Sequence, residues 1–333
     1  MKTITILVPA YNEEEVLDQL YNRVTGVING IPQYNFEILF VNDGSKDNTL
    51  NIVKEFRTQD PRISYVDLAR NFGKETAMMA GLDHAIGDAV VIIDADLQDP
   101  PELIPEMITY WEQGYDDVYA KRRTRAGESF AKKWTSAQYY SLLKRTTRIP
   151  IQEDTGDFRL LDRRCVEALK QIRETQRYTK GMFSWIGYNK KEILFDRDPR
   201  AAGETKWNYF KLMELAIEGI TSFTTFPLRI ASYFGFTASL LAFVYMVWII
   251  IKTLAYGESV TGYPSMMAVI LFFGGVQLIA LGIIGEYLGR IFNETKNRPL
   301  YFVDEYNDQK ATNINGESQP AYVVKEQKVK AGR

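Results

Sequence analysis

The densest group of chemically useful side chains is Asp94-Ala95-Asp96-Leu97-Gln98-Asp99-Pro100-Pro101, directly after the apolar run Ala89-Val90-Val91-Ile92-Ile93. In extended backbone, residues i and i+2 point to the same side. Asp94, Asp96 and Gln98 are therefore expected to present oxygens together where a strand gives way to a loop. Mg2+ and Mn2+ favour such oxygen sets and keep positions open for phosphate. Asp followed by Pro-Pro-Glu also suits a helix start. Asp99 is expected to serve as that cap, leaving Asp94 and Asp96 for the metal. Two further polar clusters follow apolar runs: Pro9-Ala10-Tyr11-Asn12-Glu13-Glu14 and Asn42-Asp43-Gly44-Ser45-Lys46-Asp47-Asn48-Thr49. Asp43 suits hydrogen bonding to a ribose or a base, and Tyr11 suits stacking on a base. Gly44-Ser45 alone reads as an ordinary turn. Asn71-Phe72-Gly73-Lys74-Glu75 is a third loop of the same kind.

The elements that must position these clusters alternate. Strands are predicted over 4–8, 37–41, 63–66, 89–93 and 117–120, with helices over 14–27, 49–55 and 74–85 between most of them. Continuous β-branched runs suit strands buried on both faces of a parallel sheet. The βαβα order predicts an open α/β sheet with ligands beyond the carboxyl ends of its strands. No GxGxxG or P-loop lysine motif occurs, which disfavours the usual dinucleotide enzymes and NTPases. One cysteine and one histidine in 333 residues exclude an internal disulfide framework and a Cys/His zinc site. Cys165 is expected to be a buried core thiol and His84 a helix-surface or cap residue. The net charge of -2 says little about partners. The first 15 residues lack the pattern of a signal peptide, so this part is expected to stay where it is made.

The last third differs. Residues 230–251 and 266–284 contain no charged side chain, and each stretch approaches the ~20 residues an α-helix needs to cross a bilayer. Two spans return the chain to the side it left. Arg290, Lys296 and Arg298 follow the second span, whereas residues 252–265 carry one Lys and one Glu. The positive-inside rule puts both flanks in the cytoplasm. Glu286 and Arg290 are spaced to pair. Gly282, Gly285 and Gly289 permit close helix packing, and a homo-oligomer is expected. Residues 121–148 hold nine Lys/Arg against Glu128 alone, and 207–223 set Phe210, Met213, Ile217 and Ile220 at helical spacing. Both suit the membrane interface and anionic lipid. A nucleic-acid partner is not expected, since it would leave the spans unexplained. Beyond Asn307 the tail is polar.

Taken together, PAYNEE, VNDGSKDNT, NFGKETAMMAGL, DADLQDPP, GDFRLLDR, RAAGETKW and the two spans resemble the inverting glycosyltransferases of the GT-A fold, family two. More narrowly, they resemble the dolichyl-phosphate mannose synthase and bactoprenol glucosyltransferase group, over nearly the whole chain. The resemblance implies a Rossmann-like α/β catalytic domain with a mixed, mostly parallel sheet over 1–206, including a basic interfacial helix near 129–147. An amphipathic interfacial helix over 207–228, two transmembrane helices over 229–290 and a cytoplasmic tail over 291–333 complete the plan.

It also implies an inverting, metal-dependent hexosyl transfer from a nucleotide sugar to a polyprenyl phosphate at the cytoplasmic face of the cell membrane. By the same resemblance, Asp94, Asp96 and Gln98 would hold Mg2+ or Mn2+ and the diphosphate. Pro9, Tyr11, Glu13, Asp43 and Asp94 would contact the nucleotide. Asp157 matches the acidic residue near the acceptor and, with Asp96, is a catalytic candidate. Arg122, Arg123, Arg200 and Lys206 are candidates for the acceptor phosphate, because Arg forks match phosphate oxygens. UDP-glucose is the first-choice donor and undecaprenyl phosphate a typical acceptor. GDP-mannose-dependent transfer is the alternative within the group, and an inactive membrane scaffold the alternative outside it. A processive polysaccharide synthase is disfavoured, since Gln176-Arg177-Tyr178 departs from Gln-x-x-Arg-Trp. Gly203-Glu204-Thr205-Lys206 departs from the group's usual Gly-x-Ser-Lys by Thr for Ser.

Overall fold

The computed structural model describes residues 1–123, 155–175, 177–196, 226–256 and 262–310. It divides into two compact units, one holding the amino-terminal part together with residues from Pro299 onward, the other holding 209–298.

The first unit is built on a nine-stranded sheet. β1 (Thr3–Ala10) is buried at every position from Ile4 to Ala10, as expected of a strand covered on both faces. It pairs in parallel with β2 (Asn35–Asn42) and β4 (Ala89–Ile92), and β2 pairs in parallel with β3 (Ile63–Leu68). The crossovers are helical. α1 (Leu17–Asn29) buries Leu17, Leu20, Val24 and Ile28, a 3–4 spacing that sets one stripe on the core. α2 (Thr49–Gln59) buries Val53 and Phe56. α3 (Lys74–His84) is buried continuously from Ala77 to Asp83. It reaches the sheet closely at Gly81, where a Cβ would lie 2.0 Å from Leu7 Cδ1.

The other half of the sheet uses β5 (Asp117–Arg122), β6 (Thr155–Asp162) and β7 (Lys190–Phe195), with α4 (Ile104–Glu112), α5 (Arg163–Lys170) and α6 (Thr179–Trp185). β6 lies antiparallel between β4 and β5, and β5 pairs in parallel with β7. The sheet is therefore mixed, but only its centre and the β5–β7 pair are parallel. The expected predominance of parallel pairing is broken at β6 and β8, each antiparallel to both of its neighbours. β6 carries Arg159 in its interior, fully buried and 3.1 Å from Asp117 of β5, with its guanidinium 3.7 Å from the Phe183 ring centroid. Cys165 is buried, as expected.

The far edge is formed by β8 (Val303–Tyr306), antiparallel to β3, and β9 (Gln309–Lys310). The sequence predicts only a tail here. Instead, Tyr301 donates to Asp83 at 2.7 Å, Lys54 meets Glu305 at 2.9 Å and Arg57 meets Asp308 at 3.0 Å. The Tyr65 amide donates to Asn307 Oδ1 at 2.9 Å, and the Tyr65 hydroxyl bonds Glu305. Two acids in a four-residue strand give no periodic signal; these long-range partners form the strand.

The second unit contains α7 (Phe226–Tyr256) and α8 (Tyr263–Thr295). Among the described residues, 272–295 has the length and hydropathy of a membrane span, and 230–245 forms a shorter apolar stretch. Ile230, Tyr233, Phe234, Leu241 and Phe272 point apolar surface outward. Glu286 and Arg290 pair at 3.1 Å as their spacing predicts. The expected interfacial helices near 129–147 and 207–228 lie outside the described residues, apart from 226–228 at the start of α7.

Candidate active site

The loops after β1 and β2 are joined to each other. Asn12, at φ 55°, donates its amide to Ser45 Oγ at 3.0 Å and accepts from the Lys46 amide at 2.8 Å. The Glu13 amide donates to Thr49 Oγ1 at 2.9 Å, the Glu14 amide to Asp47 at 3.2 Å, and the Asn48 amide to Glu14 at 2.8 Å. Such reciprocal bonds fix both loops without burying a charge. Asp43 is 2 % exposed and accepts from the amides of Phe72 and Gly73 at 2.7 and 2.9 Å. Burial pushes its carboxyl above the ordinary value despite those donors. Asp43 thus anchors the third loop, and each oxygen keeps a second lone pair. Gly44, at φ +64°, lets that loop pass: a Cβ here would lie 2.5 Å from the Arg70 carbonyl carbon. Pro9 is buried in β1, Glu13 half-buried and Tyr11 exposed at the rim.

After β4 the backbone is a turn and not the extended segment expected. Leu97 has φ 61°, and Asp96 Oδ1 accepts from the Gln98 amide at 3.1 Å. Asp94, Asp96 and Gln98 are nevertheless half-exposed, alternating with buried Ala95, Leu97 and Asp99. Asp99 does not cap the following helix. A short 3-10 turn, Pro101–Leu103, precedes α4, and neither has a side-chain cap. The residue at the cap position is Pro100, which has no side-chain acceptor to offer.

The register Ile92↔Arg159, continued by two residues, brings Asp94 opposite Asp157. Like charges facing each other across a strand pair are destabilising, and Lys74 resolves the conflict. Its Nζ lies 2.7 Å from both oxygens of Asp94 and 2.6 Å from Asp157 Oδ2. Burial pushes the Asp94 carboxyl up, opposed by Lys74 and reinforced by Asp157 and Asp96. Burial acts on Asp157 in the same sense, but Lys74, Lys180 and Arg159 outweigh it and hold that carboxyl at about 2. Lys180 is itself lowered by burial, with Arg122, Lys74 and Arg159 adding to the effect against Asp157. Arg122 is thus near enough to Lys180 for its charge to be felt there. Arg123 pairs with Asp196 at 3.4 Å on the exposed side. Arg200 and Lys206 lie outside the described residues.

The structure brings two lysines to the site: Lys180, which the sequence does not single out, and Lys74, which the sequence places only in the loop after β3. Lys74 carried one local signal: it is the first residue of α3, where the helix dipole disfavours a cation. The donor set suits Mg2+ or Mn2+, with carboxylates on Asp94 and Asp96 and an amide on Gln98. Asp94 Oδ1 is buried, makes no hydrogen bond in good geometry and lies 2.7 Å from the Lys74 ammonium, so a hard cation on that oxygen would take the ammonium's place.

Residues 5–170 match the glycosyl transferase family 2 model, and 226–291 match the GtrB C-terminal hairpin. The chain is 50% identical over 302 residues to an uncharacterized glycosyltransferase of Synechocystis, covering 91% of this chain and 95% of that one. It is 46% identical over 300 residues to the SfII prophage-derived bactoprenol glucosyl transferase of Shigella flexneri, covering 90% and 97%. Among solved structures, mannosyl-3-phosphoglycerate synthase from Rubrobacter xylanophilus aligns at 17% identity and TM-score 0.46, covering 65% of this chain and 71% of that one. With half its residues shared along nearly the whole length of a glycosyltransferase, and with both sequence models matched in order, the chain belongs to glycosyl transferase family 2 and carries the GtrB hairpin.

Proposed function

We propose that this protein transfers glucose from UDP-glucose to a polyprenyl phosphate such as undecaprenyl phosphate, inverting the anomeric carbon, at the cytoplasmic face of the membrane. The observation that carries the reading is the meeting of Asp94 and Asp157 on one ammonium at the carboxyl end of β4. It supports a donor site and an acceptor site close enough for direct displacement. The names of the bactoprenol glucosyl transferases support the sugar and the lipid class. The hairpin supports two spans, α7 and α8, with both termini cytoplasmic, and the open glycine stripe of α8 supports a homo-oligomer. The domain plan is kept, except that 303–310 belong with the catalytic sheet.

Asp94, Asp96 and Gln98 would hold Mg2+ or Mn2+. That ion supplies Lewis-acid neutralisation of the departing diphosphate. Tyr11 offers a ring face to the base, while Pro9, Glu13 and Asp43 shape the nucleotide pocket through loops already locked together. A phosphate monoester has a second pKa of ~6, so the attacking oxygen is largely unprotonated at neutral pH and no proton needs removal. Asp157, at about 2, is a poor base. Its charge instead orients Lys74 and Lys180 toward the incoming phosphate. Arg122, Arg123, Arg200 and Lys206 complete the acceptor cradle in this proposal.

The test is transfer of radiolabelled glucose from UDP-glucose to undecaprenyl phosphate with Mg2+ or Mn2+, comparing wild type with Asp94→Ala. A labelled lipid that the variant does not form is expected. Product only from GDP-mannose would replace the donor, and none from any nucleotide sugar would leave a membrane scaffold.

A further inference from the structure

Lys74 is placed where neither helix formation nor sheet packing calls for a lysine. It opens α3 behind Gly73, whose φ of 94° starts the helix without a side-chain cap. At that end the helix dipole repels a cation. What the position offers is two carboxylates from two strands. The ammonium sits 2.7 Å from both oxygens of Asp94, on the bidentate side of the carboxylate, and 2.6 Å from Asp157. A hard divalent ion bound by Asp94 would claim the same oxygens, and two cations do not share them at contact distance. The Lys74 side chain is 45% exposed, while the Asp94 Oδ1 it faces is buried.

We infer that Lys74 is a resident counter-ion and positioning residue: its ammonium holds Asp94 beside Asp157 until a divalent cation displaces it from Asp94 and leaves it on Asp157. This inference rests on the metal site of the proposed function. It accounts for two facing acids gathered on one ammonium, and it makes cation arrival the event that turns Lys74 toward the acceptor side. No bond is made or broken; one cation replaces another on Asp94.

The test is Mn2+ binding by calorimetry to the full-length protein in detergent, without nucleotide, for wild type, Asp94→Asn, Lys74→Gln, Lys74→Arg and Lys180→Gln. Removing a unit charge that competes at contact distance is expected to tighten Mn2+ binding in Lys74→Gln by about tenfold. Lys74→Arg, which keeps the charge, should stay within about threefold of wild type, and Lys180→Gln should change little. Unchanged or weaker binding in a folded Lys74→Gln overturns the inference, as does equal tightening in Lys180→Gln, which would mark a general field effect. If Lys74→Gln does not fold, amine labelling of wild type decides: Lys74 should react faster with Mn2+ present, and an unchanged rate overturns the inference. Binding lost in Asp94→Asn but indifferent to Lys74 leaves the metal site standing and the counter-ion role refuted. No Mn2+ binding by wild type refutes both.

Discussion

The two halves of the catalytic sheet hold their loops by different means. Around β1, β2 and β3 the loops are tied by backbone amides to small polar side chains: Asn12 to Ser45 and Lys46, Glu13 to Thr49, Asp43 to Phe72 and Gly73. Around β5, β6 and α6 the work falls to charges: Arg159 on Asp117, Lys74 on Asp157, and Lys180 nearby. Directional amide hydrogen bonds, whether to a hydroxyl or to the Asp43 carboxylate, give a fixed shape. Clustered charges give a field, stronger where water is excluded and costly when one member is lost. In the proposed reaction the first would hold the nucleotide and the second the lipid phosphate.

Substitutions should break this contrast in graded ways. Asp94→Asn should lower transfer by ~1000-fold or more, measured as labelled lipid, with the melting temperature unchanged or raised, since it also removes a facing charge. Arg159→Met leaves Asp117 buried without its main counter-ion and should cost about 3–5 kcal/mol in urea denaturation of the full-length protein. Adding Asp117→Leu should recover most of that loss. On the amide-tied side, Gly44→Ala forces a Cβ against the Arg70 backbone at φ +64°, a strain of about 1–3 kcal/mol. It should appear as a raised KM for the nucleotide sugar more than a lowered kcat. Thr49→Val removes one acceptor for the Glu13 amide, about 1 kcal/mol or roughly a fivefold rise in the same KM.

The smallest effect expected is in pH dependence. Asp157 is held at about 2, below the ordinary 3.8. Its ionised form stabilises the fold fully above about pH 4, and that contribution fades as pH falls toward 2. Between pH 5 and 8 Asp157 should add no inflection to the transfer rate. An inflection is expected near ~6 from the acceptor phosphate, and Asp157→Asn should lower the rate without moving it.

The amide-tied half was largely legible in the sequence, and the charge-tied half only at β5, Asp157 and Arg122. β1 to β5 and the three crossover helices announce themselves through continuous apolar runs, and Asp94-x-Asp96 through spacing along the chain. β6 hides because Arg159 and Asp157 read as polar loop until β5 supplies Asp117. Lys74 hides because its partners come from β4 and β6, which only the tertiary register brings together. Asp99 misled because an acidic residue before Pro-Pro resembles a cap, whereas the prolines themselves start the turn. β8 is illegible for the same reason as β6: its support lies more than 200 residues away, at Tyr65, Asp83 and Lys54.

That late strand orders events during synthesis. β3 is made early and needs β8 to cover its edge, because an unpaired edge strand invites pairing with other chains. Between them in the sequence stand α7 and α8, so the sheet acquires its last edge only after the whole hairpin has been translated. A ribosome stalled before residue 303 would carry an incomplete enzyme with an open β3 edge, which places completion of the fold after synthesis of the α7–α8 hairpin.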